Sequence, residues 1–114
     1  MHELAITSSL LRIALDKAGE AGATRIGSIK LRIGRLSGYV PEAVELNFRM
    51  LAPGTMAEGA ALEIQWVPLR CRCKICGREH DATPDDCSCP SCHAADFIIT
   101  GGREMFIESI EVET

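Results

Sequence analysis

The chain has 114 residues, enough for one small domain or one domain with a satellite. Sixteen acids against twelve bases leave a formal charge of −4, which argues against a general nucleic-acid binder with its basic footprint. An apolar share of 46% with 25% charged residues argues against wholesale disorder, and charges such as Arg12 and Asp16 interrupt the longest aliphatic stretches, so no membrane span fits.

Residues 4–18 read as an amphipathic helix. Leu4, Leu11, Leu15 and Ala18 recur at helical spacing, and Ile6, Leu10, Ile13 and Ala14 widen the stripe. Gly19 and Gly22 offer places to stop. Residues 25–35 read as a strand, because Ile29, Leu31 and Ile33 alternate with Ser28, Lys30 and Arg32. A second helix starts near Pro41, a good first-turn residue, with Glu42 and Glu45 near the positive end of its dipole. Val44, Phe48 and Leu51 form its inward stripe, and Pro53-Gly54 ends it. Residues 60–67 read as a second strand, with Leu62, Ile64 and Trp66 on one face. Residues 104–112 read as a third. Its alternation is broken at Glu108, as a bulge or an edge position would explain.

Between the last two strands lie all six cysteines, from Cys71 to Cys92. A disulfide scaffold spreads its cysteines through the fold, so a single cluster reads instead as a metal site. Two C-x2-C pairs are embedded in it, Cys73/Cys76 and Cys89/Cys92. Such a turn aims both sulfurs at one ion while backbone amides donate to the thiolates. Gly77 suits the tight turn after the first pair, and Pro90 stiffens the second. Four soft thiolates in a tetrahedron, with Zn–S near about 2.3 Å, suit Zn(II). Cys71 and Cys87 each stand two residues ahead of a pair and read as spare thiols, with a six-thiolate or iron–sulfur cluster as the alternative. His80 and His93 could stand in as ligands, but the simpler reading makes them exposed histidines on a small module. A closed four-thiolate site has no open position for substrate, so the module is structural or regulatory. A metal also lets so short an insertion fold.

His2 has chemical consequences at position 2. Methionine removal requires a small second residue, so Met1 is expected to stay. The α-amine, the His2 amide and the His2 imidazole then lie within chelate reach of one ion, and the Glu3 amide can complete a planar set of four nitrogens. That geometry selects Ni(II) or Cu(II). The Glu3 carboxylate could add an oxygen ligand, or instead favour the first helical turn. From chemistry alone, a histidine at position 2 is most often a surface residue. Residues 1–20 lack a basic n-region and carry Glu3, so the expected home is a reducing cytoplasm.

Three segments coincide. Met1-His2-Glu3 opens the chain, ahead of a Ser-Leu-Leu helix. Two knuckles occupy residues 73–92. Gly102-Arg103-Glu104-Met105 through Ser109-Ile110-Glu111-Val112-Glu113 closes it. Their order and spacing resemble the HypA/HybF family of hydrogenase maturation factors. The resemblance implies an α+β fold in which two helices pack on a three-stranded sheet, with an inserted zinc-ribbon-like module. The implied division is a nickel-binding domain of residues 1–69 plus 102–114 and a zinc module of residues 70–101. It implies that His2 is the nickel ligand with Glu3 beside it, and that Cys73, Cys76, Cys89 and Cys92 hold zinc. It further implies transported Ni(II), a nickel-handling maturation GTPase as partner, and delivery to the [NiFe]-hydrogenase large-subunit precursor. Urease maturation proteins are further partners for some members. Some relatives place an acidic residue near the nickel site where this chain has Val40. Neither nucleic acid nor membrane is an expected partner, and the expected state is a monomer or weak homodimer. The chain shows no G-x4-G-K-[ST] phosphate loop and no nucleophile–histidine constellation, so it reads as a non-enzyme. The alternative function is a zinc-ribbon module that binds nucleic acid or protein.

Overall fold

A computed structural model describes residues 2–83 and 85–114, with position 2 described by its backbone alone. In chain order the elements are α1 (His2–Glu20), β1 (Arg25–Gly34), α2 (Pro41–Leu51), β2 (Ala61–Val67), β3 (Leu69–Cys73), β4 (Glu79–Ala82), β5 (Phe97–Gly101) and β6 (Met105–Glu113). They form two three-stranded sheets, ordered β2-β1-β6 and β4-β3-β5. The chain divides into two compact units. One comprises Met1–Arg32, Tyr39–Gln65 and Phe106–Thr114, and the other Ile33–Gly38 and Trp66–Met105.

In the first unit, both helices pack on one face of the sheet. Leu11, Ala14 and Ala18 of α1 and Phe48 of α2 meet Ile26 and Ile29 of β1, with Leu62, Ile107, Ile110 and Val112 closing the cluster. The buried arc of α1 is Thr7, Leu11, Ala14 and Ala18, a four-three-four spacing that follows one helix face. Leu4 and Ile13, expected in that stripe, are about half exposed. Ile13 precedes Ala14 by one residue and is turned roughly 100° away from the core. Thr7 is the polar member of the arc, and its Oγ1 is buried with no hydrogen-bond partner among the described residues. α2 starts with Pro41 at its first turn after extended Val40, and buries Val44 and Phe48 as expected. β6 lies at a sheet edge, where Glu108 and Ser109 are both exposed. Glu108 there forms a two-point ion pair with Arg32 of β1, at 3.0 and 3.1 Å.

The second unit is built on a sheet that reading the cysteines only as ligands had not anticipated. β3 is its centre, pairing antiparallel with β4 through Cys71↔His80 and with β5 through Cys73↔Phe97. Leu69, Cys71 and Cys73 point inward while Arg70 and Arg72 point out. Two glycines allow close backbone approach. A Cβ on Gly34 would lie 2.3 Å from the Gly102 carbonyl oxygen, and one on Gly102 would lie 2.7 Å from that of Pro68. Trp66, expected inward, is 40% exposed, with the Arg35 guanidinium 5.8 Å from its ring centre.

Candidate metal centre

β3 delivers Cys73 to the base of a tight turn. The Gly77 N–H donates to the Cys73 carbonyl at 2.9 Å, and the Cys73 N–H donates to the Arg78 carbonyl at 2.9 Å. The second knuckle repeats both bonds: His93 N–H to Cys89 carbonyl and Cys89 N–H to Ala94 carbonyl, each 2.9 Å. The residue after the second cysteine is left-handed in both, Gly77 at φ 78 and His93 at φ 62. Gly77 was legible as a turn residue. His93 in the same backbone state was not, because histidine carries no glycine-like signal.

The two knuckles bring four sulfurs together. Cys73 Sγ lies 3.5 Å from Cys92 Sγ, and Cys76 Sγ lies 3.6 Å from Cys89 Sγ. All four lie within 4.8 Å of one another. A tetrahedron with metal–sulfur bonds of about 2.3 Å has edges of about 3.8 Å, so this set fits a zinc-sized ion. Cys73 and Cys89 are buried, while Cys76 and Cys92 are exposed.

The electrostatics also call for a cation. The N–H groups of Cys92 and Ser91 point at the Cys89 sulfur and hold its pKa down to about 6. The N–H groups of Cys76 and Ile75 lower Cys73 in the same way. At Cys92 the Ala94 N–H favours the thiolate, but crowding by Cys73, Cys89 and Cys76 outweighs it and raises the pKa to about 11. Two thiolates are thus favoured by the backbone, and further ionisation is resisted by like charge. A divalent ion removes that resistance.

Three bases around the first knuckle serve nearby partners. Arg70 pairs with Asp81 at 2.8 Å and Glu79 at 3.8 Å, Lys74 pairs with Asp96 at 3.7 Å, and Arg78 donates to Ser91 Oγ at 2.5 Å. They do not form the unpaired basic stripe that nucleic acid needs.

Cys71 and Cys87 lie outside the four-sulfur group. Cys71 is fully buried in β3; burial, then the charge and hydrogen bond of the neighbouring Cys87 thiol, push its thiol up. The Cys87 thiol is half-buried and donates to the Thr83 carbonyl at 3.3 Å. Neither histidine joins the sulfur group. His93 is exposed as expected, whereas His80 is only 6% exposed. Its register opposite Cys71 turns it inward, and its Nε2 has no hydrogen-bond partner among the described residues.

At the other candidate site, α1 begins at His2. Met1 and the His2 side chain lie outside the described residues. Glu3 is described: its carboxylate accepts from the Val40 N–H at 3.2 Å, which places Val40 beside it. Its own N–H first, and then that of Val40, hold the carboxyl below the usual range. The first N–H groups of a helix have no intrahelical acceptor, and that of Glu3 is taken up by its own carboxylate.

The fold and the sulfur cluster define a small α+β protein with a knuckle-type four-cysteine metal site. A family described as "Hydrogenase/urease nickel incorporation, metallochaperone, hypA" matches residues 1–112, and the chain belongs to this HypA family. It is 42% identical over 113 residues to a hydrogenase maturation factor HypA of Dehalococcoides mccartyi, covering 99% of this chain and 95% of that one. Against the HypA of Moorella thermoacetica it is again 42% identical, covering 99% and 100%. The solution structure of the Ni metallochaperone HypA from Helicobacter pylori matches with TM-score 0.66, 26% identity and 97% of each chain. Another HypA solution structure matches with TM-score 0.72, 27% identity, and 98% and 96% coverage.

Proposed function

We propose that this chain is a nickel metallochaperone. It binds Ni(II) at its N-terminus through the α-amine, the His2 imidazole and neighbouring backbone nitrogens, with Glu3 beside them. It delivers the ion for maturation of [NiFe]-hydrogenase. The observation that carries this reading is the family match, which begins at residue 1 and so includes Met1-His2-Glu3. Cys73, Cys76, Cys89 and Cys92 hold a resident Zn(II), which supplies folding energy for the second unit. Its closed thiolate set leaves no position for substrate, and the role is delivery rather than catalysis. A nickel-handling GTPase, the hydrogenase large-subunit precursor and, as a further outlet, urease maturation proteins are the partners this role implies. The place of action is the cytoplasm.

The test is nickel calorimetry on the zinc-loaded protein with an authentic N-terminus. His2→Ala abolishes tight nickel binding and leaves zinc content unchanged. An N-terminal extension that converts the amine to an amide has the same effect. Unchanged nickel affinity in His2→Ala refutes the site.

A further inference from the structure

α2 is apolar on two sides, and only one of them meets the core. Val44 and Phe48 are buried. At roughly 100° per residue, Leu46 lies about 200° round the helix from Val44, and Met50 about 240°. Both therefore stand on the side opposite the core, and neither belongs to its cluster. Leu46 is 61% exposed and Met50 67%. A helix with one buried stripe carries polar residues on its outer face. A single exposed apolar residue needs no explanation, but these two occupy successive turns of one face.

The stripe carries opposite charges at its two ends. Glu42 is exposed in the first turn, and Arg49 is exposed in the last. They are two helical turns apart and so share one flank of the stripe. Arg49 donates to Glu45 of its own helix at 2.6 Å, and a guanidinium has five N–H groups to give. Glu42, Glu45, Leu46 and Arg49 line a shallow groove on this face.

We propose that the outer face of α2 is the seat of a reversible, two-fold antiparallel contact with a second copy of this chain. When two identical helices pair antiparallel, the same flank of each meets the other with its direction reversed. Glu42 then lies opposite the Arg49 of the second copy, and the symmetry repeats that ion pair. The axis falls near Leu46, so the two Leu46 side chains meet on it. Each Met50 lies over the first turn of the other helix. The two helix dipoles also oppose one another. A parallel pairing would bring opposite flanks together and would not pair these charges. The pattern is complementary to itself, which is why a second copy fits it. Two large apolar side chains per copy fall far short of the about 800 Å² per partner of a standard stable interface, so the contact depends on concentration.

The experiment is sedimentation equilibrium on the full-length, zinc-loaded protein over a range of concentrations. The expected average mass rises reversibly from 12.4 kDa toward twice that value. Leu46→Lys sets two like charges together on the axis and weakens the association by about tenfold or more. Met50→Lys weakens it as well. Both leave zinc content and melting temperature unchanged, because both side chains are exposed in the single chain. Glu42→Arg sets like charges against each other across the contact, and so does Arg49→Glu. Each weakens the association severalfold, and the double exchange restores it. Protein that stays monomeric at every concentration overturns the proposal. Association that survives both lysine substitutions unchanged overturns it too, because the contact then lies on another surface. If the single exchanges have no effect, or the double exchange does not restore what they remove, the antiparallel pairing is overturned.

Discussion

Gly77 and His93 occupy the same backbone state in the two knuckles, and substituting each makes opposite predictions. Gly77 has φ 78, and a Cβ built on it meets no heavy atom within 4 Å. Gly77→Ala therefore adds no clash, only the cost of holding an L-residue left-handed, about 1–2 kcal/mol. Folding of so small a metal module and metal binding are largely one equilibrium. At about 1.4 kcal/mol per tenfold, the substitution weakens zinc by about 5- to 30-fold. His93 already carries this cost at φ 62, so His93→Gly strengthens zinc, by up to about fivefold at 1 kcal/mol. The assay is competition for zinc against a chromogenic chelator at fixed pH. Unchanged affinity in Gly77→Ala refutes the conformational reasoning. Weaker binding in His93→Gly refutes the view that His93 is a turn residue, and makes it a ligand instead.

Four further outcomes follow. Cys73→Ser lowers zinc content measured by atomic absorption, whereas Cys71→Ser retains it; the reverse result means that the wrong four cysteines carry the metal. Thr7 Oγ1 lies in an apolar surround with no partner among the described residues, so Thr7→Val stabilises the protein by about 1 kcal/mol and raises the melting temperature by several degrees. Gly34→Ala would drive a Cβ to 2.3 Å from the Gly102 carbonyl oxygen, so it destabilises by on the order of 3–5 kcal/mol in urea titrations. Glu3 has a lowered carboxyl pKa, so the stability it contributes is present above about 4.5 and is lost as the pH falls through the lowered value. Glu3→Gln thus melts earlier than the wild type near neutrality, and the two melting curves converge in acid.

Much of the first unit was legible because its strands and helices carry their own period. The alternation of Ile29, Leu31 and Ile33 marked β1, and Pro41 marked the start of α2. The stripe of α1 was drawn too wide, since counting apolar residues cannot tell which arc meets the sheet: Thr7 is inside and Leu4 is outside. The four-cysteine cluster followed from spacing alone, because each knuckle is local. The sheet around it did not. Leu69, Cys71 and Cys73 alternate with arginines as a strand should, but cysteine was weighed as a ligand before it was weighed as a small buried apolar residue. The approach of Gly34 to Gly102 is long-range and leaves no local pattern to read. His80 read as exposed because its burial comes from its register opposite Cys71, a pairing that only the folded chain defines.

The two metal roles place opposite demands on their ligands. A resident ion is best held by a closed set, and the knuckles supply one: four sulfurs, two of them buried, with backbone N–H groups directed at Cys73 and Cys89. Releasing an ion from such a cage means dismantling both turns. A transported ion needs ligands that an acceptor can replace one at a time, and a chain end offers that. The start of α1 sets a difficulty, however, because the positive end of a helix dipole repels a cation. The proposed nickel site meets it with nitrogen ligands that have lost their protons and with the Glu3 carboxylate nearby. Val40, the residue next to that carboxylate, adds no charge of its own. Glu3 is held ionised well below neutrality by its own N–H and that of Val40, so it does not titrate where nickel is handled. Nickel loss on acidification is then the expected consequence of proton competition for the proposed nitrogen ligands, not of the Glu3 carboxylate.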